Sequence, residues 1–219
     1  MKKLAVIFDM DGVLVDTIPY NYRLWHDYLH SLGVELTKQG FQQILGMEFQ
    51  DVVKVFESQF GINIDDTKLA AHLRKERDAY YQDHELLTSK ALPRLLSSLY
   101  ESGVPLAVAT GSSRRTTELL LRKNQLTPFF SEIVTADDVE QGKPSPDIYL
   151  TAAHRLRTTP SHCVVVEDAA SGIAAAHAAG MATVGYINGF NSADDLHEAD
   201  MATDNFDELT IEVLTKLLR

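Results

Sequence analysis

The sequence predicts an α/β fold: a parallel sheet with helices on both faces, plus a small all-helical domain inserted behind the first strand. Three observations lead there. Five short apolar runs, 4–8, 104–109, 132–136, 163–167 and 182–187, read as strands buried on both faces. From the second run onward they alternate with helical patterns over 112–124, 146–157 and 170–179, which implies βαβ units. The long stretch between the first two runs carries helical patterns and no strand pattern.

The first strand, Leu4-Ala5-Val6-Ile7-Phe8, runs into Asp9-Met10-Asp11-Gly12. Two carboxylates therefore stand at the carboxyl end of a core strand, the edge where open α/β sheets bind ligands. Side chains two residues apart point the same way on an extended chain, so Asp9 and Asp11 can face one small volume. Unpaired carboxylates are costly to bury, and such a pair suggests a metal or a reaction. A calcium loop is the rival reading. It requires Gly at its sixth position and Glu at its twelfth, where this chain has Leu14 and Tyr20, so it fails.

Behind this turn, Tyr20, Leu24, Tyr28 and Leu32 repeat at near-helical spacing within 17–32. Val52, Val53, Phe56 and Phe60 make a second stripe, and Leu69, Leu73 and the charged run 74–78 a third, ending near Tyr81. Gly33, Gly46 and Gly61 stand where these helices should stop. Residues 16–86 are thus expected to form the inserted cap, with hinges near 15–17 and 84–89. Residues 1–15 and 87–219 form the core, to which a helix over 90–101 returns the chain.

Three later strand ends carry chemistry. The second reaches Thr110-Gly111-Ser112-Ser113, a hydroxyl, a glycine and an N-cap serine opening a helix whose free N–H groups suit an anion. After the third comes Gly142-Lys143-Pro144-Ser145-Pro146-Asp147. Pro144 biases Lys143 toward extended backbone, and Ser145 is expected to cap the helix, with Pro146 at its first position and Asp147 in its first turn. The fourth ends at Glu167-Asp168, followed by Gly172 and a helix of small residues able to pack close to a sheet. Each feature alone fits an ordinary capped helix or a solvated lysine. Their succession at four strand ends points to one site.

Composition bounds the partners. The chain has 219 residues, 45% of them apolar and 23% charged, and a formal charge of −11. That balance excludes a duplex nucleic-acid ligand, which needs a basic face, but not a small anion held by a metal and local cations. Cys163 is the single cysteine, so no intrachain disulfide forms; leading into Val164-Val165-Val166, it reads as a buried thiol rather than a nucleophile. The apolar run behind Met1-Lys2-Lys3 ends too soon for a signal peptide, and no segment is long and apolar enough to span a membrane. A cytoplasmic protein is expected.

These residues resemble the haloacid dehalogenase superfamily of phosphohydrolases along the whole chain. The segment 8–13 looks like its first motif, Ala109-Thr110-Gly111-Ser112 its second, Gly142-Lys143-Pro144 its third and Glu167-Asp168 its fourth. The helical insertion is similar to the family's C1 cap. Asp16-Thr17 and the run Pro146-Asp147-Ile148-Tyr149 look like the β-phosphoglucomutase-like and sugar-phosphatase branch.

The resemblance implies a Rossmann-like core of strand order 3-2-1-4-5. It also implies Mg²⁺ held by Asp9, Asp168 and the Asp11 backbone carbonyl, with Glu167 direct or through water. Asp9 would be the nucleophile, forming an aspartyl-phosphate, and Asp11 the general acid and base. Lys143, Thr110, Gly111 and Ser112 would hold the phosphate, and Asn21 would face the substrate from the cap. Two features depart from the mutase pattern: Asn21 stands where a cap histidine is expected, and no arginine lies near Glu48-Phe49. Ala169 also replaces the usual serine, with Ser171 following later. The expected activity is thus an Mg²⁺-dependent phosphatase of a small phosphorylated metabolite, such as a sugar phosphate, acting as a monomer or weak dimer without membrane or nucleic acid. A phosphomutase and a non-catalytic phosphate-binding protein are the alternatives. His26 and His30, one helical turn apart beside Trp25, lack a third ligand nearby and read as a packed helix face. Arg114-Arg115 could meet a second anionic group, but such a pair is more often solvated.

Overall fold

The computed structural model describes residues 4–45, 47, 49–84 and 86–218. In chain order its elements are β1 (Ala5–Phe8), α1 (Ile18–Ser31), α2 (Lys38–Gln42), α3 (Phe49–Phe60), α4 (Asp66–Asp83), α5 (Leu92–Glu101), β2 (Leu106–Thr110), α6 (Arg114–Lys123), β3 (Glu132–Thr135), α7 (Asp147–Arg155), β4 (Cys163–Glu167), α8 (Ala170–Ala178), β5 (Ala182–Tyr186), β6 (Met201–Thr203) and α9 (Ile211–Leu217). Gly46 and Glu85, read as a helix stop and a hinge residue, lie outside the described residues.

The strands pair in the order β3-β2-β1-β4-β5-β6, every pair parallel. The first five follow the implied order. The sixth is an addition: three residues, only one of them buried, offer no apolar run to read. β1 is central, Phe8 lying beside Val108 on one side and Val166 on the other. Alternate residues feed opposite faces. Val6, Phe8, Val164 and Val166 join Leu96, Leu99 and Leu120 in one core; Ala5, Ile7, Cys163 and Val165 join Ile148, Tyr149 and Ala175 in the other. β2 begins at Leu106 rather than at 104. Pro105 has no N–H to give a ladder, and the N–H of Val104 closes the end of α5 on Leu99 O.

The helices form where apolar spacing and end signals coincide. In α5, Leu92, Leu95, Leu96 and Leu99 are all buried on one face, and Pro93 stands in the first turn, where its missing N–H costs nothing. α1 to α4 enclose their own core, built from Trp25, Leu29, Phe41, Phe56 and Leu69. The two connections between this unit and the sheet run side by side: Val15 bridges Leu87, and the Asp16 N–H donates to Leu86 O.

One expected cap differs. Pro146, not Ser145, is the N-cap residue of α7 and makes no side-chain bond; the Ser145 N–H turns back to Gly142 O at 2.9 Å. α6 opens on a serine cap as expected, and it is Ser113; Ser112 bonds Asp11 instead.

Among the described residues no helix is long and apolar enough to cross a membrane. Cys163 is free and fully buried, and burial pushes its thiol up to about 12. At pH 8 only about one molecule in 10⁴ would carry the thiolate. We expect no alkylation of native protein by iodoacetamide at pH 8 and stoichiometric alkylation in denaturant, read by intact mass. Rapid modification of the native protein would contradict this burial.

Candidate active site

The carboxyl ends of β2, β1 and β4 are neighbours, so Asp9, Thr110, Glu167 and Asp168 arrive at one edge although far apart in sequence. Lys143 reaches them from the turn before α7, in which the Lys143–Pro144 peptide is cis. Its ammonium donates to Asp9 Oδ1 and Glu167 Oε1, both at 2.6 Å, and to Ala109 O at 3.3 Å. All three of its protons are thus engaged within the protein.

Glu167 is equally committed. Oε1 accepts from Lys143 and from the Tyr149 hydroxyl at 2.9 Å, while Oε2 accepts the backbone N–H groups of Asp168 and Ala169 at 2.8 and 2.9 Å. Its lone pairs are spent on shaping the turn and holding Lys143. Gly172 permits this, since a Cβ there would sit 1.8 Å from Glu167 Oε1.

Asp11 stands apart from that cluster. Ser112 Oγ donates to its Oδ2 at 2.8 Å, Thr110 Oγ1 more weakly at 3.4 Å, and Thr17 Oγ1 to its Oδ1 at 2.5 Å. Neutral hydroxyls, with one at the entry to the insertion, are therefore its partners. Gly12 turns the chain with φ +77°, and a Cβ there would meet Asp168 Oδ2 at 2.0 Å. Asn21 is held from the insertion by the Tyr81 hydroxyl, which donates to its Oδ1 at 3.0 Å.

The electrostatics follow from burial. Desolvation raises Asp9 most; Lys143 opposes it, Glu167 and Asp11 reinforce it, and the carboxyl is pushed up to about 7. Burial, then Glu167 and Asp9, hold Asp168 well above the usual carboxylate range. Burial alone would lower Lys143, but Asp9 and Glu167 outweigh it and keep the ammonium charged. Asp9, Glu167 and Asp168 bring ligand oxygens within 4.8 Å of one another against one ammonium. Three buried carboxylates facing one lysine suit a hard divalent cation with oxygen ligands. They are the sole metal-capable group of this kind among the described residues.

A cavity of about 440 Å³ opens over this edge. Asp9, Asp11, Asp168 and the segment 110–113 line it from the sheet, and Asn21, Trp25, Phe49, Leu73, Arg74 and Arg77 are among the residues lining it from the insertion. Lys143 does not reach it. His26 stacks on His30 and bonds Asp27 and Glu35 outside it. Arg114 pairs with Asp138 at 2.6 Å and Arg115 with Asp78 at 3.1 Å, so neither is presented to the cavity.

Sequence reasoning missed Asn188 and Asn191, which bond Asp168, and the cavity arginines. The Asn188-Gly189-Phe190-Asn191 turn at the end of the fifth strand was the signal available for the asparagines.

Comparison with known proteins shows the family. Residues 6–186 match the family described as haloacid dehalogenase-like hydrolase. The chain is similar to the β-phosphoglucomutase of Bacillus subtilis, 31% identical over 96% of this chain and 93% of that protein. It is also similar to a phosphorylated carbohydrates phosphatase of Thermotoga maritima, 30% identical over 98% and 99%. In fold it is similar to the β-phosphoglucomutase of Clostridium difficile, with a TM-score of 0.85 at 22% identity over 100% of this chain and 97% of that one.

The buried charge of Asp9 has a stability consequence. A carboxyl raised to about 7 when folded, against about 4 unfolded, binds more protons in the native state between those values. Its contribution is favourable below about pH 4 and is lost as pH rises through about 7. Asp9→Asn should therefore gain thermal stability over the wild type as pH rises from 4 to 8 in chelator. A difference independent of pH would refute the raised carboxyl.

Proposed function

Because the chain belongs to the haloacid dehalogenase-like hydrolase family, we propose that it is an Mg²⁺-dependent phosphatase of a small phosphate ester, most simply a sugar phosphate. The observation that carries this reading is Asp9. Lys143 takes its Oδ1, while Oδ2 has no hydrogen bond among the described residues at the floor of the cavity. In the proposed reaction a carboxylate oxygen of Asp9 attacks phosphorus and the bond to the alkoxide breaks. Asp11 protonates that alkoxide, then takes a proton from water as it attacks the aspartyl-phosphate, freeing phosphate and Asp9.

Asp9 and Asp168, with the Asp11 backbone carbonyl, would hold Mg²⁺; Glu167, its oxygens already bonded, acts through Lys143 and the turn. When bound, the cation neutralises the repulsion between carboxylate and phosphate and withdraws charge from the phosphoryl oxygens. Thr110, Ser112 and the N–H groups around Gly111 orient those oxygens. Lys143 orients Asp9, and contact with a phosphate oxygen would replace one of its present bonds. Such positioning and electrostatics supply most of the rate in phosphoryl transfer.

Known relatives include both a mutase and a phosphatase, so residues must choose. Asn21 Oδ1 accepts from the Tyr81 hydroxyl, and Phe49 lines the cavity where the mutase pattern expects an arginine nearby. Both favour hydrolysis. A phosphomutase remains the second reading, carried by the similarity to the Bacillus subtilis enzyme over nearly its whole length. A non-catalytic binding protein would not need Asp9 and Asp11 both present in the cavity.

Phosphate release from a panel of sugar phosphates should vanish in chelator and return with Mg²⁺. Asp9→Asn should abolish it, and Asp11→Asn should lower kcat by roughly 10²–10⁴-fold. With β-glucose 1-phosphate and a bisphosphate primer, free phosphate should exceed glucose 6-phosphate; a dominant isomer would instead establish the mutase. Turnover unchanged in excess chelator would remove the metal from the mechanism.

Arg74 and Arg77 are the cations among the cavity-lining residues, the other charges being Asp9, Asp11, Asp137 and Asp168. Arg77 Nε is buried without a hydrogen bond and Nη2 makes one long contact, 3.4 Å, to Thr116 Oγ1. Arg77→Ala should raise KM for the preferred ester by about tenfold with a smaller change in kcat, read by steady-state kinetics. An unchanged KM would place substrate recognition elsewhere.

A further inference from the structure

We propose that the turn Asn188-Gly189-Phe190-Asn191 positions Asp168 and makes that position depend on closure of the helical insertion. The proposal rests on Asp168 as a metal ligand, as read above.

On the core side, Asn188 Nδ2 donates to Asp168 Oδ2 at 2.7 Å and to Gly12 O at 3.1 Å, tying the fourth-strand acid to the turn that carries Asp11. Asn191 Nδ2 donates to Asp168 O at 2.6 Å and to Tyr186 O at 3.0 Å. The amide orientations are forced. Asn191 Oδ1 accepts the Asn188 N–H and Asn188 Oδ1 accepts the Phe190 N–H, both at 3.0 Å, so each NH₂ must turn toward the acid. Asp168 is therefore held at side chain and backbone by one turn that braces itself.

Phe190, between the two asparagines, belongs to the other body. Its ring packs against the insertion's core, 6.0 Å from Tyr22 of α1, with Lys38 Nζ of α2 lying 5.3 Å from the ring centroid. Gln42 Nε2 of α2 donates to Phe190 O. When the insertion swings away, Phe190 loses this apolar seat and the Gln42 bond together, while the asparagines keep only the bonds within the turn and to the core. The turn is then freer to move, and Asp168 with it. Closure over a substrate seats Phe190 and orders the acid at the moment the cation must be held. Opening loosens it, easing release. The coupling is a free energy between insertion and cation, carried by one short segment that touches both.

The test is Mg²⁺ affinity by titration calorimetry, with phosphate present, on wild type, Asn188→Ala, Phe190→Ala, Gln42→Ala and the Asn188→Ala/Phe190→Ala double variant. Thermal unfolding in chelator would verify that each is folded. Asn188→Ala should weaken Mg²⁺ binding about tenfold or more, as loss of an outer partner of a ligand does. Phe190→Ala and Gln42→Ala, which alter only the insertion side, should weaken it in the same direction, and Phe190→Leu should recover part of the loss. The double variant should match Asn188→Ala, because both act through one carboxylate. Wild-type affinity in Phe190→Ala, or effects that multiply in the double variant, would overturn the coupling and leave the phosphatase reading standing. Failure of the wild type to bind Mg²⁺ would overturn both.

Discussion

The Lys143 ammonium, shut between Asp9 and Glu167 with its side chain 1% exposed, is the interaction on which the site depends. A buried charge is tolerable only when it is paired and hydrogen-bonded, and removing one partner of such a pair commonly costs about 3–5 kcal/mol. Each of its three protons is spoken for. The lysine thus fixes the Asp9 carboxylate in one orientation, joins strands β1, β2 and β4 at their ends, and offsets one of the charges they bring together. The Asp9 and Asp168 carboxyls are held above their ordinary range by the same burial.

The rest of the architecture divides along that edge. The sheet supplies rigidity: strand ends placed by regular pairing hold Asp9, Thr110, Glu167 and Asp168 with little freedom. The insertion supplies a cover. It brings apolar rings and two guanidinium groups over a floor of carboxylates. A site open to water at a sheet edge gains from such a cover, which strengthens every charge interaction beneath it. Thr17 at the entry to the insertion bonds Asp11, and Phe190 from the core sits in the insertion's own apolar cluster. Cover and floor are therefore joined at both acids.

Glu167 illustrates why a residue type does not fix a role. As a carboxylate beside Asp168 it reads as a metal ligand. In the fold its four acceptor positions are taken by Lys143, Tyr149 and two N–H groups of its own turn. Gly172 of α8 gives it the space, since a Cβ there would lie 1.8 Å from Oε1. Ser112 makes the reverse point: one of two adjacent serines able to cap a helix, it is instead the strongest hydrogen-bond partner of Asp11 Oδ2.

The sequence by itself determined the five apolar strands, the helical insertion's stripes and the placing of Asp9, Asp11, Thr110, Lys143 and Asp168 at strand ends. Those features are local: a buried strand needs an unbroken apolar run, and a strand-to-helix turn needs its acid, glycine or proline within a few residues. Only the tertiary structure decided the allocation of hydrogen bonds. Of the two serines before α6, Ser113 caps the helix while Ser112 bonds Asp11, about a hundred residues earlier. The Asn188-Gly189 turn is local, but that its asparagines meet Asp168, and that β6 joins the sheet, rests on contacts made only in the fold. Arg74 and Arg77 look like part of a solvated charged run until α4 is laid over the sheet edge. Chain spacing sets which way a side chain can point; the partner it meets is set by segments that folding alone brings within reach.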